Sequence, residues 1–145
     1  MPAVCDALGI HFDYPENWEL ETYDDQQGGG AAIVSSPETA FWQLTRHPAG
    51  ADAERLFDEA LAALRSEYGQ IEAHAASDVV DGITVAGYDV NFYCLDLTNT
   101  CRLRALPSES GTYLMLFQAE DEELKRVDAV FTAMLTSLIR GMCEA

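Results

Sequence analysis

Hydrophobic and polar residues alternate along several stretches of this chain, and a period of two predicts β-strands. Turn-forming residues separate these stretches: residues 36–39 predict a hairpin turn, and residues 24–30 predict a glycine-rich loop. Asp81-Gly82 predicts a tight type I′ turn, because both central positions of that turn need a positive φ. The predicted strands are residues 9–14, 18–23, 31–35, 40–47, 71–80, 83–97, 100–106 and 111–119.

Two further stretches repeat apolar residues every three or four positions, which is the spacing of an amphipathic helix. The first predicted helix covers residues 52–68, with Asp52 as its N-cap and Gly69 just beyond its end. The second covers residues 121–139; its acidic first turn suits the helix dipole, and Arg140-Gly141 is expected to close it. Helices separated by antiparallel strands predict an α+β fold, a twisted, mainly antiparallel sheet of about seven strands with helices packed on it.

The length and composition predict one domain over residues 1–145. A chain of 145 residues with 48% hydrophobic residues can bury a core without disulfides or metals. No internal repeat or long low-complexity tract divides the sequence.

The first predicted strand runs into a corner, Tyr14-Pro15-Glu16-Asn17-Trp18. This corner, followed by the glycine-rich loop, one middle helix, four meandering strands and a last helix, resembles the PsbP-like family over nearly the whole chain. The resemblance implies an α/β/α sandwich, a twisted antiparallel sheet with helices on both faces. Members of that family include a photosystem accessory protein, a nuclear-transport cofactor that binds a small GTPase, and bacterial adaptor chaperones for secreted effectors. The resemblance therefore implies a bacterial binding or accessory module with no catalytic residues and no cofactor. The residues also explain this corner without the resemblance, because Pro15 ends strand pairing and Trp18 is large enough to cover an edge of the core.

Charge narrows the classes of partner. The chain has 25 acidic and 8 basic residues, a formal net charge of −17 at pH 7. Nucleic-acid binding depends on basic side chains that displace counterions, and anionic membranes also repel an acidic surface, so neither is expected as a partner. Basic proteins and metal cations stay open, and so does the simpler interpretation that the charge only maintains solubility.

The sequence also predicts a compartment. Residues 1–10 contain no Lys or Arg and lack the long apolar core of an export signal. No segment approaches the ~20 apolar residues of a membrane helix. We therefore expect a cytoplasmic protein whose cysteines, Cys5, Cys94, Cys101 and Cys143, are mostly reduced.

The predicted turns set the register of the meander. A turn at Asp81-Gly82 places His74 opposite Asp89, and a second turn at Leu97-Thr98 would place Cys94 opposite Cys101, Tyr93 opposite Arg102 and Asn91 opposite Arg104. One face is then a core of Tyr88, Val90, Phe92, Cys94, Cys101, Leu103 and Ala105. The other face is polar and carries His74, Asp89, Asn91, Tyr93, Arg102 and Arg104.

This polar face is the candidate binding surface. Arg102 and Arg104 could fork onto a carboxylate or phosphate of a ligand. The alternative is an internal layer of salt bridges in which Asp89 partners His74 and an arginine.

The sequence gives little support for a catalytic or metal-binding motif. Cys94 and Cys101 could form a disulfide or half a metal site, but their spacing matches no zinc pattern, and reduced thiols in the core are the simpler interpretation. His11, His47 and His74 are scattered, and residues 28–30 lack the lysine of a phosphate loop. Acidic clusters at 120–123 are typical of a helix start.

Two functional hypotheses follow. The first is a non-catalytic accessory or adaptor module that acts by protein–protein binding and uses no cofactor. The second is a small-molecule or metal-binding protein, with or without enzymatic activity, that uses the polar face around His74, Asp89, Arg102 and Arg104. A ligand site needs a concave pocket with converging polar groups, whereas an adaptor needs an exposed apolar patch with a polar rim.

Overall fold

The computed structural model describes residues 2–24, 29–109 and 111–143. Residues 25–28, in the predicted glycine-rich loop, lie outside the described residues. Of the strands described, all but β1 were predicted from the sequence, close to their observed bounds. The strands are β1 (Ala3–Ala7), β2 (Ile10–Tyr14), β3 (Glu19–Asp24), β4 (Gly30–Ser35), β5 (Phe41–His47), β6 (Ile71–Val80), β7 (Ile83–Cys94), β8 (Leu97–Ser108) and β9 (Gly111–Glu120), and the helices are α1 (Ala53–Tyr68) and α2 (Asp121–Cys143).

Strands β3 to β9 form one seven-stranded sheet in the order β3-β4-β5-β9-β8-β7-β6, with every neighbouring pair antiparallel. Helix α2 packs on one face of this sheet, together with a separate two-stranded sheet of β1 and β2. Helix α1 packs on the opposite face, mainly against β7. The predicted α+β class is confirmed, and the helices lie on both faces of the sheet.

Strand β1 was not predicted from the sequence. It folds back on β2 through a two-residue turn at Leu8-Gly9. Both turn residues have a positive φ, 58° and 74°, and only the glycine adopts such a value without steric cost. Cys5 pairs with Phe12 across the hairpin, and both side chains are buried.

Aromatic rings form the centre of the core on the α2 face. Trp42 stacks on Phe117 with ring centroids 5.5 Å apart, and Phe117 stacks on Phe131 at 5.7 Å. Phe12 lies against Trp42 at 4.7 Å, so the small sheet contributes to the same core. Trp18 meets Phe131 edge-on at 6.1 Å and is 8% exposed, which confirms that it covers an edge of the core.

The core on the α1 face is smaller and confirms the predicted stripe of the first helix. Phe57, Leu61 and Leu64 of α1 pack on β7 and β8. Asp52 caps the helix by accepting a hydrogen bond from the Glu54 amide, and Gly69 follows its last residue with a φ of 82°. The sheet residues in this cluster are the predicted ones: Val90, Phe92, Cys101, Leu103 and Ala105, with Tyr88 and Cys94 partly buried beside them.

The predicted turn between β7 and β8 was wrong. The turn lies at Leu95-Asp96, with φ values of 52° and 64°, so Cys94 pairs with Leu97 and not with Cys101. A leucine with positive φ gives no sequence signal, because glycine, asparagine and aspartate are the residues expected there.

The correct register shifts β8 but keeps its faces. Arg102 lies opposite Asp89 instead of Tyr93, a shift of four residues, and Arg104 lies opposite Gly87 instead of Asn91. An even shift leaves each side chain on its predicted face.

The predicted end of the second helix was also wrong. Gly141 lies within α2, which continues to Cys143. A Cβ on Gly141 would lie 2.5 Å from the backbone oxygen of His11, so glycine is needed here for the close approach of α2 to β2.

Candidate functional site

The predicted polar face lies on the α2 side of the sheet, towards the β6 edge. His74, Asp89 and Arg102 form one row across β6, β7 and β8, as the pairing of His74 with Asp89 predicted. The next row places Arg104 opposite Gly87. The structure therefore brings the two arginines, Asp89 and His74 into one region of the sheet.

Arg104 is an internal residue whose side chain is 2% exposed. Its Nε donates to Asp78 at 2.8 Å, and its Nη2 donates to Asp89 at 2.9 Å. Its Nη1 donates to the backbone oxygens of Leu103 at 2.9 Å and Tyr88 at 3.2 Å. These four bonds use four of the five N–H donors of the guanidinium within the chain.

Gly87 makes room for this arrangement. A Cβ on Gly87 would lie 1.7 Å from the backbone oxygen of Leu103 and 3.1 Å from the Cα of Arg104. Any other residue would push β7 and β8 apart at the point where the Arg104 guanidinium bonds to both strands.

The other members of the polar face are more exposed. Arg102 bonds to Asp128 of α2, and Asn91 Oδ1 lies 3.0 Å from the Thr100 hydroxyl. Tyr93 is 72% exposed, and His74 is exposed with no side-chain hydrogen bond to any other described residue. Asp89 partners Arg104, so the salt-bridge layer is present with an arginine, and a ligand-binding role for this face stays a prediction.

The cysteines of the meander are separate free thiols. Burial, with a smaller contribution from the charge of Asp89, raises the pKa of Cys101 to about 12. Such a thiol stays protonated at neutral pH and is a poor nucleophile and metal ligand. Its place in the α1 core confirms the interpretation of a small apolar residue.

A groove that was not predicted lies on the opposite, α1, side of the sheet. Helix α1 covers β7 and β8 but leaves β5 and part of β9 open, and the hollow between them has a volume of about 490 Å³. A second hollow of about 500 Å³ adjoins it towards the β5–α1 loop and shares His47, Leu56 and Glu59 with it. We call the two together the α1 groove.

The floor of the α1 groove consists of alternate residues on two strands. Phe41, Gln43, Thr45 and His47 come from β5, because the residues between them, such as Trp42, point into the opposite core. Strand β9 contributes Leu114, Leu116 and Gln118 to the same floor. The side-chain amide of Gln43 makes no hydrogen bond to the described residues and faces the open groove.

The wall of the α1 groove is one side of the helix, with small residues in its middle and carboxylates on its rim. Ala60 and Ala63 leave space there, and Glu59 and Glu67 are exposed. Tyr68 closes one end, where it stacks on Phe92 at 4.1 Å and receives a hydrogen bond from Gln118 at 3.2 Å.

His47 lies at the other end of the 490 Å³ hollow, with its Nε2 3.0 Å from the Thr45 hydroxyl. Burial lowers the pKa of His47, and the charge of Glu59 opposes this only in part. The imidazole is therefore neutral at pH 7, and the negative charge of the rim is not balanced by it. No nucleophile is hydrogen-bonded to His47 apart from this threonine among residues 2–24, 29–109 and 111–143.

The sequence carried a partial signal for this groove. Polar Gln43, Thr45 and His47 alternate with apolar Trp42 and Leu44 in β5, which indicates a strand with one face away from the core. The pattern does not reveal that a helix stands beside that face.

One member of the acidic run at 120–123 has a structural role that the sequence did not reveal. Glu123 is 2% exposed, and its carboxylate accepts hydrogen bonds from the Ser36 hydroxyl at 2.6 Å and the Thr39 amide at 2.8 Å. The Thr39 hydroxyl donates to it as well. Burial alone would raise the pKa of Glu123, but the bonds from Ser36, Thr39 and Ala40 outweigh burial and hold the pKa below its ordinary value. The ionised Glu123 side chain therefore connects α2 to the β4–β5 turn through hydrogen bonds.

The described residues contain no group of three or more His, Cys, Asp or Glu residues placed to hold a metal ion. In the same part of the chain, no helix has both the length and the apolar character needed to cross a membrane.

The chain matches no protein-family model and no curated protein. It is similar to a solved structure of PA94 from Pseudomonas aeruginosa, described as a protein of unknown function with a suggested regulatory role, at a TM-score of 0.53 and 10% identity over 94% of this chain and 95% of PA94. It also matches LpqN from Mycobacterium tuberculosis, described as involved in cell envelope biogenesis, at a TM-score of 0.46 and 11% identity over 92% of this chain and 80% of LpqN. The similarity to PA94 shows a shared fold and nothing more.

Proposed function

We propose that this chain is a non-catalytic accessory or adaptor module that binds a segment of another protein in the α1 groove. The observation that carries the proposal is the uncovered half of the sheet face beside α1, whose floor and wall form one elongated hollow. The expected PsbP-like resemblance supports the same class of function.

The shape of the groove favours a polypeptide over a compact small molecule. Small-molecule sites enclose about 70–90% of the ligand surface, whereas the α1 groove is open along its length. Apolar Phe41, Leu114 and Leu116 offer contacts for apolar side chains of an extended or helical segment. The free amide of Gln43 offers a donor and an acceptor for that segment's polar groups.

The charge of the groove favours a basic partner. Glu67 and Glu59 line the rim, Glu59 in a surface ion pair with Arg55 at 3.3 Å, and the chain as a whole carries −17. Such a field steers cationic segments towards the surface and repels acidic ones. We propose a segment with apolar residues flanked by Lys or Arg, bound in the cytoplasm, where the free thiols of Cys5, Cys94 and Cys101 would stay reduced.

The test is selection of peptides on the immobilised protein from a random display library, followed by affinity measurement with labelled peptides. Ala63→Arg places a long cationic side chain in the groove, and we expect it to weaken binding by more than about tenfold. Ala62→Arg is the matched control, because Ala62 is a neighbouring exposed residue of α1 that does not line the groove.

Each outcome has a clear meaning. Selected peptides rich in Lys, Arg and apolar residues, with affinity lost only in Ala63→Arg, support the proposal. Failure to select any peptide, or equal binding by both variants, refutes it. A small molecule that stabilises the wild type and Ala62→Arg but not Ala63→Arg would instead favour a small-molecule site.

A further inference from the structure

Strand β6 is an edge of the sheet with little of the usual protection: it contains no proline or bulge, and its acidic residues are Glu72 and Asp78. It is ten residues long and pairs with β7 alone among the described strands. The other edge, β3, is six residues long and carries Glu19, Glu21 and Asp24. Natural edges are normally blocked by charges, proline, bulges or short length, and an unblocked long edge pairs with another strand.

The turn at Asp81-Gly82 decides which residues of β6 offer their backbone groups to a partner. In a two-residue hairpin the flanking residues, Val80 and Ile83, form a hydrogen-bonded pair, and the bonded pairs then recur at every second residue. Even-numbered residues of β6 therefore bond to β7. The odd-numbered residues Ile71, Ala73, Ala75, Ser77 and Val79 direct their N–H and C=O groups outward, and we call this set the β6 free edge.

Side chains along the β6 free edge allow close approach. Ala75, Ser77 and Val79 are exposed, and Val79 is 68% exposed although it is the largest of the three. Small and β-branched residues of this kind suit the pleated surface between two paired strands.

We propose that the β6 free edge pairs with the β6 free edge of a second copy of this chain, antiparallel about a two-fold axis at Ala76. The symmetry operation places odd-numbered residues opposite odd-numbered ones, so their outward N–H and C=O groups meet. The sheet then runs continuously through the two copies.

Charge disfavours one of the two neighbouring registers. A two-fold axis at Ala75 would place Glu72 opposite Asp78 of the second copy, and like charges directly opposite each other are destabilising. The axis at Ala76 places His74 opposite Asp78, twice by symmetry, at positions whose side chains approach closely because they are not backbone-bonded to each other.

Both side chains of that cross-copy pair are available. The His74 imidazole is exposed and makes no hydrogen bond within the described part of the chain. Asp78 bonds to Arg104 through Oδ2, and its side chain is 45% exposed, which leaves Oδ1 to accept from an imidazole N–H. The same register sets Val79 opposite Ala73, a residue that packs against the α1 core, so the exposed valine gains apolar cover.

The proposal is independent of the α1 groove and is tested by sedimentation equilibrium on the purified chain. We expect the wild type to be a dimer. Ala75→Pro removes an outward N–H that β7 does not use, so the monomer keeps its bonds while the edge is blocked, and we expect a monomer. Ala75→Val is the matched control and should remain a dimer. A monomeric wild type, or a dimer that survives Ala75→Pro, overturns the proposal.

A second pair of variants avoids the backbone change. His74→Asp places like charges opposite each other and should weaken the dimer by more than about tenfold, whereas His74→Lys places a positive charge opposite Asp78 and should not. Equal dimerisation by both variants would contradict the proposed register.

The register has its own readout. In a Cys94→Ser, Cys143→Ser background, the Ala76→Cys variant should form an intermolecular disulfide under mild oxidation, because the axis brings the two copies of this position within cross-linking distance. The Ser77→Cys variant should cross-link poorly, since position 77 lies opposite Ala75 of the second copy. Equal cross-linking at both positions would refute an axis at Ala76.

Discussion

Arg104 offers the sharpest test of the interpretation that the polar face is internal structure. The perturbation is Arg104→Met, which keeps much of the side-chain volume but removes the charge and every donor. In the folded chain it deletes the bonds to Asp78 and Asp89 and those to two backbone oxygens. If Arg104 served only to bind a ligand, this change would have little effect on stability.

The expected loss of stability follows from how far the two partners of each ion pair are buried. Breaking a buried ion pair typically costs about 3–5 kcal/mol, because one charge is left uncompensated. Here the arginine is 2% exposed, but the side chains of Asp78 and Asp89 are 45% and 38% exposed and can recover water. We therefore expect a loss of about 2–3 kcal/mol in the free energy of unfolding, which lies at or just below the lower limit of that range. Arg102→Met is the control: Arg102 and Asp128 are 24% and 54% exposed, and a pair of this kind contributes about 0–1 kcal/mol.

The assay is urea denaturation at pH 7 followed by tryptophan fluorescence, with the free energy of unfolding taken from the midpoint and slope. Asp89→Asn and the double variant complete a thermodynamic cycle, and we expect a coupling energy above about 1 kcal/mol between Arg104 and Asp89. The reasoning is refuted if Arg104→Met costs no more than Arg102→Met, or if the cycle shows no coupling. Stabilisation of the wild type by added phosphate, absent in Arg104→Met, would favour the ligand-binding hypothesis.

Two further predictions concern residues that fix the sheet. Glu123→Gln should lower the free energy of unfolding by about 1–3 kcal/mol, because a buried charged acceptor is lost. The folded pKa of Glu123 lies below its unfolded value, so this difference in stability from the wild type should be full above about pH 5 and shrink as pH falls through the folded pKa. Urea midpoints across pH measure it, and a difference that grows towards low pH would contradict the prediction. Gly87→Ala should lower the free energy of unfolding by about 3 kcal/mol or more, because its Cβ would lie 1.7 Å from the backbone oxygen of Leu103. Gly82→Ala is the control: Gly82 has a φ of 81° with open space around it, and its replacement should cost about 1–2 kcal/mol. Equal thermal midpoints for the two variants would refute the close approach at Gly87.

Much of the fold follows from local signals in the sequence. The Asp81-Gly82 turn, the Asp52 cap and the stripe of α1 each have a direct physical cause in residue type, and each was predicted at its observed place. The features that were not predicted depend on residues whose backbone conformation or position is unusual for their residue type. Leu95 turns the chain with a positive φ, and Gly141 continues a helix because the backbone of His11 lies against it.

The candidate site was less predictable than the fold, for a different reason. The polar face was placed correctly because alternation along β6, β7 and β8 survives a register error of four residues. Its internal ion pairs depend on Asp78, which the sequence pattern did not single out. The α1 groove depends on where a helix rests across a sheet, and helix packing over seven strands is a property of the whole core and not of any local pattern.

The two proposals concern separate parts of one sheet, which makes their tests independent. In the order β3-β4-β5-β9-β8-β7-β6, the α1 groove lies over β5 and β9, while the pairing edge is β6. Helix α1 lies between them over β7 and β8. Pairing through β6 would therefore leave the groove of each copy open and place the two grooves at opposite ends of the joined sheet. A partner with two basic segments could then engage both copies, and its avidity would depend on Ala75, whereas the affinity of a single segment would depend on Ala63 alone.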